Sequence, residues 1–507
     1  MPVPSIETRP DLLQAFLSDA AHVPGGFAAG VALPRDIGEL AALVAHADRT
    51  LPVGAQSSLT GGATPRGEVV ISTRALNRVA LHGNNTITAG AGVALADLQR
   101  TLLSHGLYYP PVPTFDGAMV GGTIATNAAG AATFKYGSTR QWVEAITVVR
   151  ADGSVLRLQR GEVTASDDGW FEIAGPGGRL ARVPVPSYRM PDVPKLSAGY
   201  FARPGMDLVD LFIGSEGTLG VIAEATLRVI ALPRRAVALA ASQSDAQAIA
   251  VTRALRHDAA ESWRGGGPLD VAAIEYIDAL SLAQLPDDAF TRAGLPRPAG
   301  GSGLLLVQIE VPGDESRALE RFAQVLESCG CTGDPVVAPP GDDRTAARLF
   351  ELREAVPAAV NARIAAAKAS IDPEIQKTAG DMVVPFDRMT ECLALYRGAF
   401  ERRRLAYAIW GHLSDGNLHP NVMPASLDDV GRGREALLEI ARGVIAMGGA
   451  PLAEHGVGRS PLKQQMLREL YGEHGINAMR AVKRALDPAW KLAPGVLFPP
   501  TEAGLSL

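Results

Sequence analysis

The sequence is poor in cysteine, in net charge of either sign and in long apolar runs. Three cysteines among 507 residues cannot build a disulfide framework, and they fall one short of an ordinary iron–sulfur cluster. The 48 Lys and Arg against 54 Asp and Glu leave a net charge of −6, which provides no basic field for nucleic acid or anionic membrane. No apolar run reaches the roughly 18 residues that a membrane-spanning helix needs.

These shortages favour a globular protein of a reducing compartment, and we expect a cytoplasmic location. The first ten residues, MPVPSIETRP, contain no charged segment followed by an apolar one, so no secretory signal is expected. Hydrophobic residues make up 47% of the chain, a normal globular proportion. A chain of this length is expected to fold as two or more domains.

The residue composition of the chain changes near Leu232-Pro233. Before this point, glycine-rich segments and short apolar runs predict strands at residues 67–73 and 219–230 and a helix at residues 36–49. Residues 142–158 predict a hairpin that turns at Ala151-Asp152-Gly153.

After Pro233, alanine-rich helical segments alternate with strands and predict a separate α+β domain. The alternation covers residues 244–255, 304–311 and 317–330. A helix over residues 344–370 is expected to be interrupted by Pro357, and residues 296–303 to form a loop.

Two segments of the first half are rich in glycine, alanine, serine and threonine, VGAQSSLTGGATP (residues 53–65) and PTFDGAMVGGTIATNAAG (residues 113–130). Successive small residues can present backbone N–H groups as a nest for an anion such as a pyrophosphate. Neither segment is a G-x-G-x-x-G between strand and helix, which argues against a Rossmann site. Tight turns in a β-rich domain are the alternative interpretation.

Two histidines flank an Asp-Gly pair in GHLSDGNLHP (residues 411–420). Asp-Gly favours a two-residue hairpin turn, which predicts that His412 lies opposite His419 and Ser414 opposite Asn417. Cross-strand Cβ atoms are about 4.5–5.5 Å apart, so both imidazoles could hold one metal ion. A structural pair of histidines is the alternative. Glu454-His455, flanked by small residues, offers a further carboxylate and imidazole.

A third glycine-rich segment, residues 210–229, completes a resemblance to a known family. S-L-T-G-G (58–62), G-G-x-x-A-x-N-x-x-G (121–130) with K-Y-G (135–137), and G-S-E-G-T-L-G (214–220) resemble the FAD-binding domain of the vanillyl-alcohol oxidase/PCMH superfamily. G-H-x-x-D-G-N-x-H and E-H-G late in the chain are similar to its D-lactate dehydrogenase, glycolate oxidase and D-2-hydroxyglutarate dehydrogenase branch. Ala55-Gln56 and Ser414 replace glycines of the family pattern.

The resemblance implies an α+β fold with a PCMH-type FAD-binding domain of two α/β subdomains. A substrate or cap domain follows, with an antiparallel sheet flanked by helices, and a C-terminal tail at residues 487–500 returns to the FAD domain. The expected divisions are an N-terminal segment 1–26, the FAD-binding domain 27–232, the cap domain 233–450 and the C-terminal segment 451–507.

By the same resemblance, FAD is bound without a covalent link, because the first glycine loop contains no histidine. Its loops would cradle the pyrophosphate and run along the flavin. The residues expected to contact FAD are Gly54, Ala55, Gln56, Ser57, Ser58, Thr60, Gly61, Pro113, Gly121, Gly122, Thr123, Ala125, Asn127, Gly130, Tyr136, Gly137, Glu216, Gly217, Gly220, Val221, Ile222 and Asn417.

The resemblance also implies a divalent metal, with His412, His419 and Glu454 as ligands. Zinc is the expected ion, with manganese or iron as alternatives. His455 is then the general base and Asn421 a polar contact to the substrate. Arg353 is the candidate for the substrate carboxylate, and its alternative is a helix-surface pair with Glu354.

The implied function is metal-assisted oxidation of a D-2-hydroxy acid, D-lactate or glycolate first, to the 2-oxo acid, with hydride transfer to flavin N5. Ala379 stands where relatives that handle 2-hydroxyglutarate carry lysine, which argues against a dicarboxylate. Electrons would pass to an external quinone, cytochrome, electron-transfer flavoprotein or iron–sulfur partner, through which the protein could lie at a membrane.

Two alternatives stay open. One is flavin-adduct chemistry of the alkylglycerone-phosphate synthase type, and the other is a flavin subunit that is active only within a larger dehydrogenase. The oligomeric state is also open, a homodimer included.

Overall fold

The computed structural model describes residues 4–111, 113–174, 180–298 and 303–499, so half of the loop expected at residues 296–303 lies outside the described residues. Short strands dominate the first half of the chain. Its elements are α1 (Pro10–Leu13), β1 (Gly30–Ala32), α2 (Ile37–His46), β2 (Thr50–Val53), β3 (Val69–Ser72), β4 (Val79–His82), β5 (Thr86–Gly90), α3 (Leu95–Leu103), β6 (Leu107–Tyr108), α4 (Val120–Ala125), α5 (Thr133–Tyr136), β7 (Val143–Val149), β8 (Val155–Gln159), β9 (Trp170–Ala174), β10 (Leu180–Pro184), α6 (Leu208–Phe212), β11 (Val221–Arg228) and β12 (Ile230–Ala231).

These strands form two principal sheets. A parallel sheet has the order β1-β3-β2, and an antiparallel sheet has the order β4-β5-β11-β7-β8. The predicted hairpin at residues 142–158 is confirmed as β7 and β8. The helix predicted at residues 36–49 is confirmed as α2, which begins where the Asp36 side chain accepts a hydrogen bond from the Glu39 N–H.

Helices and longer strands alternate in the second half, as expected. Its elements are β13 (Arg235–Ser242), α7 (Asp245–Trp263), β14 (Asp270–Ile277), α8 (Ala279–Leu282), α9 (Asp287–Ala293), β15 (Gly303–Glu310), α10 (Glu315–Ser328), β16 (Val336–Ala338), α11 (Asp343–Ser370), β17 (Thr378–Ala379), β18 (Met382–Val383), α12 (Met389–Glu401), β19 (Tyr407–His412), β20 (Asn417–Val422), α13 (Leu427–Ala446) and α14 (Pro461–Leu486).

One antiparallel sheet organises this half, in the order β16-β13-β15-β14-β19-β20-β17, with β18 also paired to β20. The central strands β14, β19 and β20 are buried along their whole length, which means that both faces of the sheet are covered. Polar side chains on these strands must therefore find partners inside the protein. The α+β class and the antiparallel sheet of the second half are confirmed, and the change of sheet supports the proposed division near Pro233.

Pro357 does not interrupt its helix, so this part of the prediction was wrong. α11 runs through it for 28 residues. Proline removes one backbone hydrogen bond from a helix interior, but a buried apolar stripe on both sides of Pro357 holds α11 against the sheet. The stripe consists of Leu349, Leu352, Val356, Val360 and Ile364.

The register predicted for the histidine hairpin was also wrong. His412 pairs with Asn417, and His419 pairs with Trp410. A 3₁₀ turn at Leu413–Asp415 replaces the two-residue turn and is tied to neighbouring elements, since the Ser414 hydroxyl accepts a hydrogen bond from the Ile274 N–H at 3.1 Å. The two histidines still share one face of the ribbon, because Trp410 and His412 are two residues apart.

The C-terminal tail returns to the first half of the chain, as predicted. The Thr50 N–H donates to the Lys491 carbonyl, and the Ala493 N–H donates to the Thr50 carbonyl, both at 2.8 Å. The Lys483 ammonium of α14 is buried and donates to the Thr218 carbonyl at 2.6 Å, which joins α14 to the G-S-E-G-T-L-G motif.

Gly416→Ala is expected to destabilise the protein by more than about 2 kcal/mol. Gly416 has a φ of +81°, and an added Cβ would lie 2.2 Å from the Val384 carbonyl oxygen. Chemical unfolding measures the change. The control is Gly431→Ala on α13, where an added Cβ meets nothing within 4 Å and a gain of about 0.5–1 kcal/mol is expected. Equal stability of the two variants would contradict the turn geometry.

Candidate functional site

A cavity lies where the glycine-rich loops of the first half meet the segment between α13 and α14. Glu454 and His455 of that segment form part of its wall. Most of the residues predicted to contact FAD also line it, namely Gly54, Ala55, Gln56, Ser57, Ser58, Pro113, Gly121, Gly122, Thr123, Ala125, Glu216, Gly217, Gly220, Val221 and Ile222. The structure thus brings these residues together, and their individual contacts with FAD stay a prediction.

The first glycine loop presents free backbone donors to this cavity. The N–H groups of residues 56–59 donate to no acceptor in the described ranges of the chain. Gln56 has a left-handed φ of 54°, which turns the loop into a concave surface. Adjacent free N–H groups in such a turn bind anions, and at Gly122 an added Cβ would meet nothing within 4 Å.

Several residues expected at the cofactor lie outside the cavity wall. The Tyr136 hydroxyl donates to Glu310 Oε2 at 2.6 Å, which connects K-Y-G to β15 instead. The Asn127 side chain organises its own loop, accepting from the Arg140 N–H at 3.0 Å. The residues outside the wall are Thr60, Gly61, Asn127, Gly130, Tyr136, Gly137 and Asn417. Their contact with FAD stays a prediction.

Three imidazoles converge on one carboxylate oxygen beside the cavity. Glu454 Oε1 lies 3.4 Å from His412 Nε2, 3.3 Å from His419 Nε2 and 3.5 Å from His455 Nε2. A tetrahedral zinc ion with ligands at about 2.0–2.2 Å holds neighbouring ligand atoms about 3.3–3.6 Å apart. His412 Nε2 and His419 Nε2 therefore lie at distances from Glu454 Oε1 that neighbouring ligands of one divalent metal would have, and the mixed nitrogen and oxygen donors suit such an ion.

Asp381 is close enough to be a further ligand but has other partners. One ligand atom each from Asp381, His419, Glu454 and His455 lie within 4.8 Å of one another. Asp381 Oδ2 accepts from the backbone N–H groups of Glu454 (2.9 Å) and His455 (2.8 Å) and lies 2.9 Å from His455 Nδ1. Asp381 Oδ1 accepts from Asn417 at 3.1 Å. Asp381 therefore positions the Glu-His segment and leaves His455 Nε2 toward the centre.

His412 is held from behind by Glu275, whose other oxygen binds Arg353. Glu275 Oε1 contacts His412 Nδ1, and Glu275 Oε2 lies 2.8 Å from two nitrogens of the Arg353 guanidinium. The remaining guanidinium nitrogen donates to Glu354 at 2.7 Å. The structure thus places Arg353 behind His412 with both acids as partners, and its predicted role at the substrate carboxylate stays a prediction.

The second oxygen of Glu454 is neutralised by a lysine. Lys195 Nζ, fully buried, lies 3.0 Å from Glu454 Oε2 and 3.0 Å from Asp415 Oδ2. Burial opposes the charge of Lys195, but the two carboxylates raise the pKa of Lys195 above its usual value. Burial likewise favours protonated Glu454, yet Lys195 and His412 hold the pKa of Glu454 well below its usual value.

The two predicted imidazole ligands differ in their environment. Burial disfavours the charged form of His412, but Glu275 outweighs it and raises the pKa of His412 to about 9. Burial lowers the pKa of His419, whose Nδ1 has no hydrogen-bond partner in the described residues. His419 is therefore a ready neutral ligand, and a metal would have to displace a proton from His412.

Asn421 lies on the histidine face of β20 and is almost completely buried. Its Nδ2 donates to the His419 carbonyl at 2.8 Å. This contact is to the backbone, so the expected contact with a substrate stays a prediction.

Sequence reasoning missed three of the groups that support this site. Glu275 is the only charge in the apolar run VAAIEYI, and a lone carboxylate on a buried strand signals a buried partner. Asp381 begins the DMVVP segment, and Lys195 stands in PKLSAGY. Neither of these two has a local pattern that would have indicated its place.

The fold and the cavity define a flavoprotein of the PCMH type. The FAD-binding domain model matches residues 28–159, and the model of the C-terminal domain of FAD-linked oxidases matches residues 232–497, more than half of the chain. The chain therefore belongs to the FAD-linked oxidase family and is an oxidoreductase.

Named relatives cover most of the chain. Glycolate oxidase subunit GlcD of Bacillus subtilis is 29% identical over 478 residues, which are 92% of this chain and 88% of the relative. A probable mitochondrial D-lactate dehydrogenase of Danio rerio is 28% identical, covering 93% and 84%. The D-2-hydroxyglutarate dehydrogenase of Xanthomonas citri pv. viticola is 30% identical, covering 93% and 90%.

A solved structure shares the fold. An alkyldihydroxyacetonephosphate synthase matches with a TM-score of 0.58 over 92% of this chain and 75% of that one, at 16% sequence identity. Within the described residues, no helix combines the length and the apolar character needed to cross a bilayer.

Gly122→Leu is expected to lower the flavin content of the purified protein, because its side chain would enter the cavity. A larger side chain at this position should lower the flavin content more than a smaller one. Because a Cβ at Gly122 meets nothing within 4 Å, Gly122→Ala should cost little and Gly122→Leu should occupy cofactor space. The ratio of flavin to protein absorbance measures it. Gly83→Leu, in an open turn outside the cavity, is the control, and equal flavin content in all variants would contradict the cavity assignment.

Glu216 is expected to make the flavin-free protein less stable as pH rises from about 4.5 to 7. Burial raises the pKa of Glu216 to about 7 from 4.5, although its carboxylate accepts from the Val457 and Gly458 N–H groups. The folded state therefore binds the proton more tightly, and this stabilisation is lost above the folded pKa. In Glu216→Gln, the decrease in the free energy of unfolding over this pH range should be smaller by about 1–3 kcal/mol, measured by chemical unfolding at several pH values. Parallel profiles of unfolding free energy against pH for the variant and the wild type would contradict this role of Glu216.

Proposed function

We propose that the protein oxidises a D-2-hydroxy acid to the 2-oxo acid, with FAD as hydride acceptor and a divalent metal beside it. The observation that carries the proposal is that the cavity and the histidine cluster have two residues in common. Glu454 and His455 line the cavity, and they also belong to the cluster in which three imidazoles surround the Glu454 carboxylate. The relatives named for glycolate, D-lactate and D-2-hydroxyglutarate support the substrate class.

His412, His419 and Glu454 are the residues that would hold the metal, zinc being the first choice from the donor set. When bound, the metal would polarise the substrate hydroxyl as a Lewis acid, and FAD would accept the hydride that leaves C2. The protein contributes the position of these groups and the charge balance around them.

His455 is the proposed general base. Its Nδ1 lies 2.9 Å from Asp381 Oδ2, which leaves Nε2 to take the hydroxyl proton while the C2–H bond breaks. The side chain of His455 is 30% exposed, whereas those of His412 and His419 are 2% and 9% exposed, so His455 is the most accessible imidazole of the three. Loss of one hydride and one proton converts the alcohol to the carbonyl of the 2-oxo acid.

D-lactate and glycolate are the proposed substrates, since Ala379 offers no cation for a second carboxylate. The electrons would then leave reduced FAD for an external acceptor. Quinone, cytochrome, electron-transfer flavoprotein and iron–sulfur partners all stay open at this step.

Anaerobic mixing of the flavin-loaded protein with glycolate and with D- and L-2-hydroxy acids tests the proposal. A D-acid or glycolate is expected to bleach the flavin absorbance quickly, and a chelator should abolish this bleaching until Zn²⁺ or Mn²⁺ is restored. His455→Ala should slow bleaching by about 10²–10⁴-fold because the proton acceptor is lost. His474→Ala, a histidine of α14 that bonds to Ser187, is the matched control and should bleach at the wild-type rate.

The outcomes separate the parts of the proposal. If a chelator does not affect bleaching, the proposed role of the metal is refuted and the oxidation of hydroxy acids by FAD still stands. If the flavin of His455→Ala is bleached at the wild-type rate, the role of His455 as general base is refuted. If no hydroxy acid of either hand bleaches the flavin, the substrate class is wrong.

A further inference from the structure

Glu275 lies where a free carboxylate would be costly, in the C-terminal half of the fully buried strand β14. It is 2% exposed, and its neighbours along β14 are apolar. Glu275 pairs directly with His412 across the β14–β19 ladder, so its carboxylate is fixed to the same position as the imidazole.

The two oxygens of Glu275 have separate partners. One faces His412 Nδ1, and the other lies 2.8 Å from Nε and from a terminal nitrogen of Arg353 on α11. Arg353 is itself 8% exposed and, apart from Glu275, bonds only Glu354 among the described residues. The guanidinium therefore holds the carboxylate in one orientation from a different element of the fold.

This arrangement leaves His412 a single ring nitrogen that could bind a metal ion. With Nδ1 engaged by Glu275, Nε2 is the free atom, and it lies 3.4 Å from Glu454 Oε1. His419 has no equivalent support, since its Nδ1 is 3.6 Å from Asp381 and has no hydrogen-bond partner in the described residues. The two histidine ligands are thus held unequally.

We infer that Glu275 is a positioning residue of the metal centre, and that Arg353 acts through it by holding its carboxylate against His412. The inference rests on the metal proposed above. A carboxylate that accepts the Nδ1–H of a metal-bound histidine fixes the tautomer and the ring orientation, and its removal typically costs about 10–100-fold in metal affinity.

Zn²⁺ affinity of the metal-free protein, measured by competition with a chromophoric chelator, tests the inference without any activity. Glu275→Leu is expected to bind Zn²⁺ about 10–100-fold more weakly. Glu275→Gln should fall between Glu275→Leu and the wild type, because an amide oxygen can still accept from Nδ1–H. The matched control is Glu310→Gln, a buried glutamate of the adjacent β15 whose partners are Lys135, Tyr136 and Arg235, and its Zn²⁺ affinity should equal that of the wild type.

Glu275→Leu leaves Arg353 buried without its main partner and can weaken folding for that reason alone. Glu275→Leu combined with Arg353→Met removes both charges of the pair. This double variant is expected to recover stability, measured by chemical unfolding, while Zn²⁺ binding stays as weak as in Glu275→Leu. Recovery of affinity together with stability would show a structural role only and overturn the inference.

His419→Ala distinguishes failure of the inference from failure of the proposed metal. If His419→Ala loses Zn²⁺ affinity and Glu275→Leu keeps the wild-type value, the metal stands and the positioning role of Glu275 is refuted. If the wild type and His419→Ala bind Zn²⁺ equally weakly, the proposed metal site is refuted, and the inference about Glu275 is refuted with it.

Discussion

The carboxylate of Glu454 is the group on which the rest of the site depends. Its Oε1 meets three imidazole nitrogens at 3.3–3.5 Å, its Oε2 meets Lys195 at 3.0 Å, and its backbone N–H is held by Asp381 at 2.9 Å. A buried carboxylate is tolerated only with partners of this kind. The requirement to surround one negative charge brings together strands, a loop and the last quarter of the chain.

Each buried acid around Glu454 has a charged or polar partner, and Asp415 shares Lys195 with Glu454. Glu275 is held by Arg353, Asp415 by Lys195, and Asp381 by His455 and by backbone N–H groups. Buried charge pairs contribute little net stability, but breaking one partner is costly, so such a set favours one arrangement over its alternatives. That arrangement places His455 in the wall of the cavity that the glycine-rich loops form.

Periodicity and turn residues predicted several of the elements, and they failed where packing overrode local preference. The hairpin of β7 and β8 and the helix α2 follow from turn residues and apolar spacing. Pro357 was expected to interrupt α11, yet an apolar stripe holds the helix continuous. Asp415-Gly416 favoured a two-residue turn, but the hydrogen bond that the Ser414 hydroxyl accepts from the Ile274 N–H of β14 accompanies a longer loop and another register.

The sequence by itself determined the class of the protein, the loops that form the cavity and the residue types that converge beside it, because these reside in short motifs with local geometry. Only the tertiary structure decided which groups support them. Glu275 and His412 are 137 positions apart, and Lys195 and Glu454 are 259 apart. A local sequence pattern indicates the spacing of apolar side chains and the preference for a turn. The pairing of buried charges depends instead on which distant elements pack together.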